Sequence, residues 1–121
     1  MANSPDFIAH VLDMMRPAGR VSARAMFGAH GVYLDGVIVG IVDDDVLYLK
    51  TDAQSRPALV LHDLLPFRYA KSTGEVEVTS YYRAPDEALE SPTAMGEWLR
   101  AAHGAALRST KAKSARRPRR K

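Results

Sequence analysis

The chain has 121 residues, 46% of them apolar, carries a formal net charge of +3 at pH 7 and contains no cysteine. That length suits one domain with a single core, the apolar share argues against wholesale disorder, and the missing thiols exclude disulfides, thiolate catalysis and zinc–thiolate sites. The charge is unevenly placed: eight of the seventeen Lys and Arg residues and no acid fall in 108–121, leaving nine against fourteen acids, a net of −5, in 1–107.

Ser4-Pro5 reads as a helix N-cap with proline at the first helical position, where its missing N–H costs nothing. Ile8, Val11, Leu12 and Met15 then repeat at i, i+3, i+4, i+7, one apolar helical face, and Pro17 and Gly19 stop the helix. Val21 to Met26 reads as a strand with Arg24 on the side opposite Val21, Ala23 and Ala25. Phe27-Gly28-Ala29-His30-Gly31 interrupts it as a turn or bulge.

Asp35-Gly36 between apolar strands predicts a two-residue type I′ hairpin, since both positions need positive φ. The register that follows sets Leu34 opposite Val37 and Val32 opposite Val39. It gathers Val32, Leu34, Val37, Val39 and Ile41 on one face, with Tyr33, Ile38, Gly40 and Val42 on the other. For the next turn, around Asp43-Asp44-Asp45, a three-residue loop keeps that apolar face continuous. It pairs Val39 with Leu49 and Ile41 with Leu47, and leaves Tyr48 beside Gly40; a two-residue loop pairs Ile41 with Tyr48. The three-residue register is preferred.

Asp52 is placed to cap a short helix through Leu61 that starts late, or with a distorted first turn, because of Pro57. Phe67–Lys71 and Glu75–Tyr82 form a further hairpin around Ser72-Thr73-Gly74. In its second strand Val76, Val78, Ser80 and Tyr82 make a drier face than Glu75, Glu77, Thr79 and Tyr81. Pro85 to Leu89 reads as one helical turn. Ser91-Pro92 opens a last helix whose stripe is Met95, Trp98, Leu99, Ala102 and Ala106, with Trp98 as the main core anchor. After Leu107 the pattern dissolves, so the domain is placed at 1–107 and a disordered basic tail at 108–121.

The fold class expected is α+β: a curved antiparallel sheet of five to six strands, flanked by N-terminal and C-terminal helices. The longest apolar run, Val37 to Val42, is a strand's length, and the first residues lack the pattern of a secretion signal, so a cytoplasmic location is expected.

No catalytic residue, metal ligand or cofactor site is assigned. Asp43–Asp45 lacks the spacing of a calcium loop, and His10, His30, His62 and His103 lack ligand spacing. Ser22, Ser80 and Asp35 supply triad atoms by type but no nucleophile elbow surrounds them. Gly28–Gly31 is too short for a phosphate loop. Tyr81-Tyr82-Arg83 sets aromatics beside a cation, an arrangement that packs a strand end or stacks on a base. The tail, with Lys111, Lys113, Arg116, Arg117, Arg119, Arg120 and Lys121, would attract nucleic-acid phosphates without reading sequence.

Two blocks carry a resemblance. Arg24-Ala-Met-Phe-Gly-Ala-His-Gly-Val-Tyr-Leu-Asp-Gly followed by Leu47-Tyr-Leu-Lys-Thr-Asp, and Ser80-Tyr-Tyr-Arg-Ala-Pro-Asp-Glu-Ala-Leu before the Trp98 helix, resemble the N-terminal domain of the TfoX/Sxy family of bacterial competence regulators. The likeness covers nearly all of 5–107, and Arg24, Met26, Phe27, Gly28, Gly31, Tyr33, Asp35, Gly36, Tyr82 and Arg83 match the family's strong positions. It implies the same α+β fold. It also implies a regulatory role, since full-length members promote DNA-uptake gene expression with the cyclic-AMP receptor protein and carry a second, C-terminal domain; here a basic tail is expected in its place. It carries over no catalytic residue.

The leading expectation is a non-enzymatic regulatory or adaptor domain that contacts a protein partner, binds DNA or RNA non-specifically through its tail, touches no membrane, and has a sheet edge open to homodimerisation. The alternative is a small ligand-binding or enzymatic domain with a pocket near Arg24, Phe27, Gly28, His30, Gly31, Tyr82 and Arg83.

Overall fold

The computed structural model describes residues 3–26, 28–71 and 74–116. Ser4 caps the first helix as its sequence predicts: its Oγ accepts from the Phe7 N–H at 3.1 Å, and α1 (Pro5–Met15) runs into a 3₁₀ turn at Arg16–Ala18. Six strands follow: β1 (Val21–Met26), β2 (Ala29–Leu34), β3 (Val37–Asp43), β4 (Val46–Lys50), β5 (Pro66–Lys71) and β6 (Gly74–Arg83). The short α2 (Arg56–Leu61) precedes β5, and a 3₁₀ turn at Asp86–Leu89 leads into α3 (Pro92–Arg116). All six strands form one antiparallel sheet in the order β1-β2-β3-β4-β6-β5, giving the expected α+β class.

The Asp35-Gly36 turn has the predicted geometry, with φ of 50° and 83° and Leu34 opposite Val37. Beyond it the sequence-based register fails. Tyr33 faces Ile38, but Val32 faces Gly40 rather than Val39, so Val39 is the extra residue of a β-bulge. One extra residue reverses the alternation of everything after it. Val39 keeps the face expected for it, with Val32 and Leu34 in the main core, but Val42 now joins them there while Ile41 turns to the opposite face.

The same bulge overturns the three-residue loop. Asp43 pairs with Val46 around a two-residue turn, Asp44-Asp45, in which both residues take positive φ (53° and 57°). Once the bulge has switched the faces, this shorter loop is the one that keeps the core continuous: Val42 meets Leu47 and Gly40 meets Leu49. Tyr48 then stands opposite Ile41, not beside Gly40.

One face of the sheet is covered by helices. Val11 and Met15 of α1 and Met95, Leu99, Ala102 and Ala106 of α3 pack with Val32, Leu34, Val39, Val42, Leu47 and Leu49. Full burial of each large aliphatic side chain is worth about 1.5–3 kcal/mol, so this layer holds the fold together. Trp98 is not its anchor: it is only partly buried, its Nε1–H donates to Glu87 Oε2 at 3.2 Å and its ring meets His62 edge-on, whereas Met95 and Leu99 are fully buried. The hydrophobic stripe faces the sheet at Met95 and Leu99, and the indole sits at its margin.

Ser91 Oγ accepts from the Ala94 N–H and starts α3 where predicted. The helix does not stop at Leu107 but continues through Arg116. Arg108, on the extension, makes a two-pronged ion pair with Asp52 (Nε–Oδ2 2.5 Å, Nη2–Oδ1 3.0 Å), tying α3 to the loop before α2. Asp52 also accepts from the N–H groups of Gln54 and Ser55, and α2 starts late, with Pro57 in its first turn, as Pro57 requires. Among the described residues no helix is long and apolar enough to cross a membrane.

Candidate functional site

The second face of the sheet carries its own smaller cluster. Ala29, Ile41 and Tyr81 are buried there, with Met26, Tyr48, Phe67 and Val78 packed around them. The residues come from β1, β2, β3, β4, β6 and β5, the whole width of the sheet. Met26, Ala29 and Ile41 from one end and Phe67 and Tyr69 from the other line a single cavity of about 290 Å³. Since β1 and β5 are the two edges of the sheet, its curvature brings them to face each other across this cavity.

The lining is aromatic. Tyr48 meets Phe67 edge-on at 5.0 Å and Phe67 stacks on Tyr69 at 6.1 Å. A separate groove of about 200 Å³ is formed by Tyr48, Leu65, Pro66, Arg68 and Arg83. Burial raises the Tyr48 phenol above its usual range, the Asp43 and Asp44 carboxylates push the same way, and Arg83 opposes them. Burial, with a smaller contribution from Tyr33, likewise raises Tyr81. Both phenols are therefore neutral donors at physiological pH.

Tyr81 was expected on the wetter side of its strand and is buried. β6 bends: Phe67 faces Val78 but Pro66 faces Tyr82, and the end of the strand leaves β5 to pair with β4. Lys50, opposite Tyr81, lays its Nζ over that ring at 4.9 Å, and Arg24 lies over Tyr33 at 5.4 Å.

The residues singled out from sequence are distributed across this frame. Arg24 and Gly31 are register partners on β1 and β2, Arg24 exposed and Gly31 buried. Gly28, between β1 and β2, takes a φ of 82°; Phe27 lies outside the described residues. His30 stands within β2, not in the turn. Its Nδ1 lies 2.8 Å from Asn3 Nδ2, which also donates to the Val42 carbonyl, while Asn3 Oδ1 accepts from the Asp45 N–H. Those two backbone partners fix the amide's orientation, so His30 Nδ1 is the acceptor and its proton sits on Nε2. This is a staple joining the N-terminus to two strands.

Tyr82 and Arg83 pair with Leu49 and Tyr48 on the other side of β3 and β4. Tyr82 is buried with Leu49 toward the helices, and Arg83 is exposed on the opposite face, where its Nη2 is 4.0 Å from Asp86 Oδ1. β3 and β4 thus separate the Arg24 group from the Tyr82–Arg83 group. Lys111, Lys113 and Arg116 belong to the last turns of α3; Arg117, Arg119, Arg120 and Lys121 lie outside the described residues.

Sequence reasoning missed Met26, Ile41, Tyr48, Phe67, Tyr69 and Arg68 as a group. The available signal was Phe67 and Tyr69 at i, i+2, an aromatic strand face with no assigned cover. Ile41 was hidden by the bulge. Among the described residues no three His, Asp or Glu side chains are gathered as a metal site.

A curled antiparallel sheet with helices on one face and an aromatic hollow on the other defines a small α+β domain. The TfoX N-terminal domain family matches this chain over residues 13–106, and the chain belongs to that family. A comparison with curated protein sequences found no match.

Proposed function

We propose that the protein is a regulatory adaptor domain, linked to transcription as the competence regulators of its family are, which engages a protein partner through the α2–β5 region and adds non-specific nucleic-acid affinity through its basic C-terminal segment. The observation that carries the partner reading is the set of exposed aliphatic side chains at the end of α2 and in the segment leading into edge strand β5: Val60, Leu61 (84% exposed) and Leu65 (63% exposed). Exposed large aliphatic residues clustered next to a strand edge mark association surfaces. Family membership supports the regulatory role, and the charge of residues 108–121 supports phosphate binding.

Fluorescence anisotropy with a labelled DNA duplex tests the nucleic-acid part. Replacing Lys111, Lys113, Arg116, Arg117, Arg119, Arg120 and Lys121 by Gln in the full chain is expected to weaken binding at least tenfold and to flatten its salt dependence, each lost phosphate contact reducing the log–log slope by about 0.9. An unchanged slope rejects it. The partner part is tested by recovery of a specific protein from native extract with wild type and with Leu61→Asp/Leu65→Asp; equal recovery by both rejects this surface.

A further inference from the structure

We propose that the hollow between the edge strands, together with the groove beside the Tyr48–Phe67 pair, binds a small molecule with a compact apolar body and one anionic group. The apolar body is specified by the cavity lining: Met26, Ala29, Ile41, Phe67 and Tyr69 present no charge, and about 290 Å³ suits a body of one or two rings. Methionine and stacked aromatics accept flat ligands of varied outline. The anionic group is specified by the groove whose Tyr48 ring touches Phe67 of the cavity. Arg68 and Arg83 both line the adjoining groove, with the neutral Tyr48 hydroxyl as a further donor.

Both guanidiniums have carboxylate neighbours. Arg68 reaches Glu77 at 2.9 Å and Glu75 at 4.0 Å, and Arg83 reaches Asp86 at 4.0 Å, with every partner substantially exposed. Exposed pairs of this kind contribute about 0–1 kcal/mol, so a ligand anion held between two arginines can displace them. Phe67 lines the cavity and Tyr48 lines the groove, and the two rings meet edge-on at 5.0 Å, so the two hollows adjoin through this contact. This site lies in the folded body, apart from the basic segment, and shares only Leu65 with the Leu61–Leu65 patch; its test leaves Leu65 unchanged, so its failure and the failure of the adaptor reading are separately visible.

The test titrates the full-length protein with 2-naphthoate and with neutral 2-naphthamide, following backbone amide shifts by NMR. Both probes are expected to bind saturably with shifts centred on Met26, Ile41 and Phe67, the acid more tightly. Arg68→Gln/Arg83→Gln, two surface changes that leave the core intact, is expected to weaken the acid roughly tenfold and leave the amide unaffected. Met26→Trp, which fills the cavity, is expected to abolish binding of both; should it fail to fold, the arginine double variant decides alone. No saturation at millimolar probe, shifts centred elsewhere, or equal affinity of wild type and double variant for the acid would each overturn the proposal.

Discussion

The two faces of the sheet contain similar residue types and use them differently. Against the helices, Val32, Leu34, Val39, Val42, Leu47 and Leu49 meet α1 and α3 and are almost wholly removed from water. On the other face, Met26, Tyr48 and Phe67 are only partly buried and Tyr69 remains 40% exposed, although the curled sheet encloses Tyr81 and Ile41 beneath them. The contrast separates side chains buried between two layers from apolar side chains that only one layer covers. An aliphatic layer between sheet and helices is filled on both sides, whereas an aromatic layer with only the sheet's own curvature over it leaves a hollow.

Truncation gives the largest effect that sharpens this contrast. Leu99→Ala is expected to cost about 2–5 kcal/mol in urea denaturation, by lost burial plus a cavity, and Tyr69→Ala less than about 1 kcal/mol. Equal losses would mean that the open face is core as well.

The glycines provide a second comparison. A methyl group at Gly40 would lie 2.8 Å from the Tyr48 carbonyl oxygen, which is backbone and cannot step aside, on the helix side of the sheet. At Gly31 it would meet the ends of Tyr33, Ile38 and Met26 at 3.1–3.3 Å on the open face, where side chains can turn away. Gly40→Ala is expected to destabilise by about 1–3 kcal/mol and Gly31→Ala by clearly less, with thermal and urea midpoints as the measure. The reverse order would show the open face to be the more tightly packed.

The smallest effect concerns pH. The Arg108 guanidinium, then the Ser55 N–H and hydroxyl, hold the Asp52 carboxyl well below the ordinary carboxylate range against the opposing effect of burial. A depressed folded-state value means the stabilisation is present above the unfolded value near 3.9 and is lost as pH falls through the folded one. Wild type is therefore expected to exceed Asp52→Asn in stability at pH 7, by less than the Gly40 effect because Arg108 is half-exposed, and the gap to close as pH drops below about 4. A gap constant with pH would reject the ion pair as its source.

Much of the local structure was legible in the residues. Ser4 and Ser91 cap helices, Asp35-Gly36 turns a hairpin and Pro57 delays α2 because each acts on backbone within a few positions of itself. The Val39–Gly40 bulge was not legible, since Val-Gly reads equally well as regular strand, and that one residue carried two further errors, the face of Ile41 and the length of the Asp44-Asp45 turn. The site was less legible still. Arg24, Gly31, Tyr82 and Arg83 are present and well placed in their strands, yet the hollow is lined by β1, β2, β3 and β5 together, and no short stretch contains it.

By itself, then, the sequence determined the order of the elements, the Ser4 and Ser91 caps, the Asp35-Gly36 hairpin, the family and the separation of an acidic body from basic terminal residues, all of which are carried by short stretches or by composition. The tertiary structure alone decided which face each strand residue takes after the bulge, how far α3 runs beyond Leu107, and that the two edges of the sheet meet over an aromatic hollow. The facing and the hollow depend on strand pairing and curvature accumulated across the sheet, and the first turn of α3 beyond Leu107 is held by the Arg108–Asp52 pair; such contacts leave no local pattern to read.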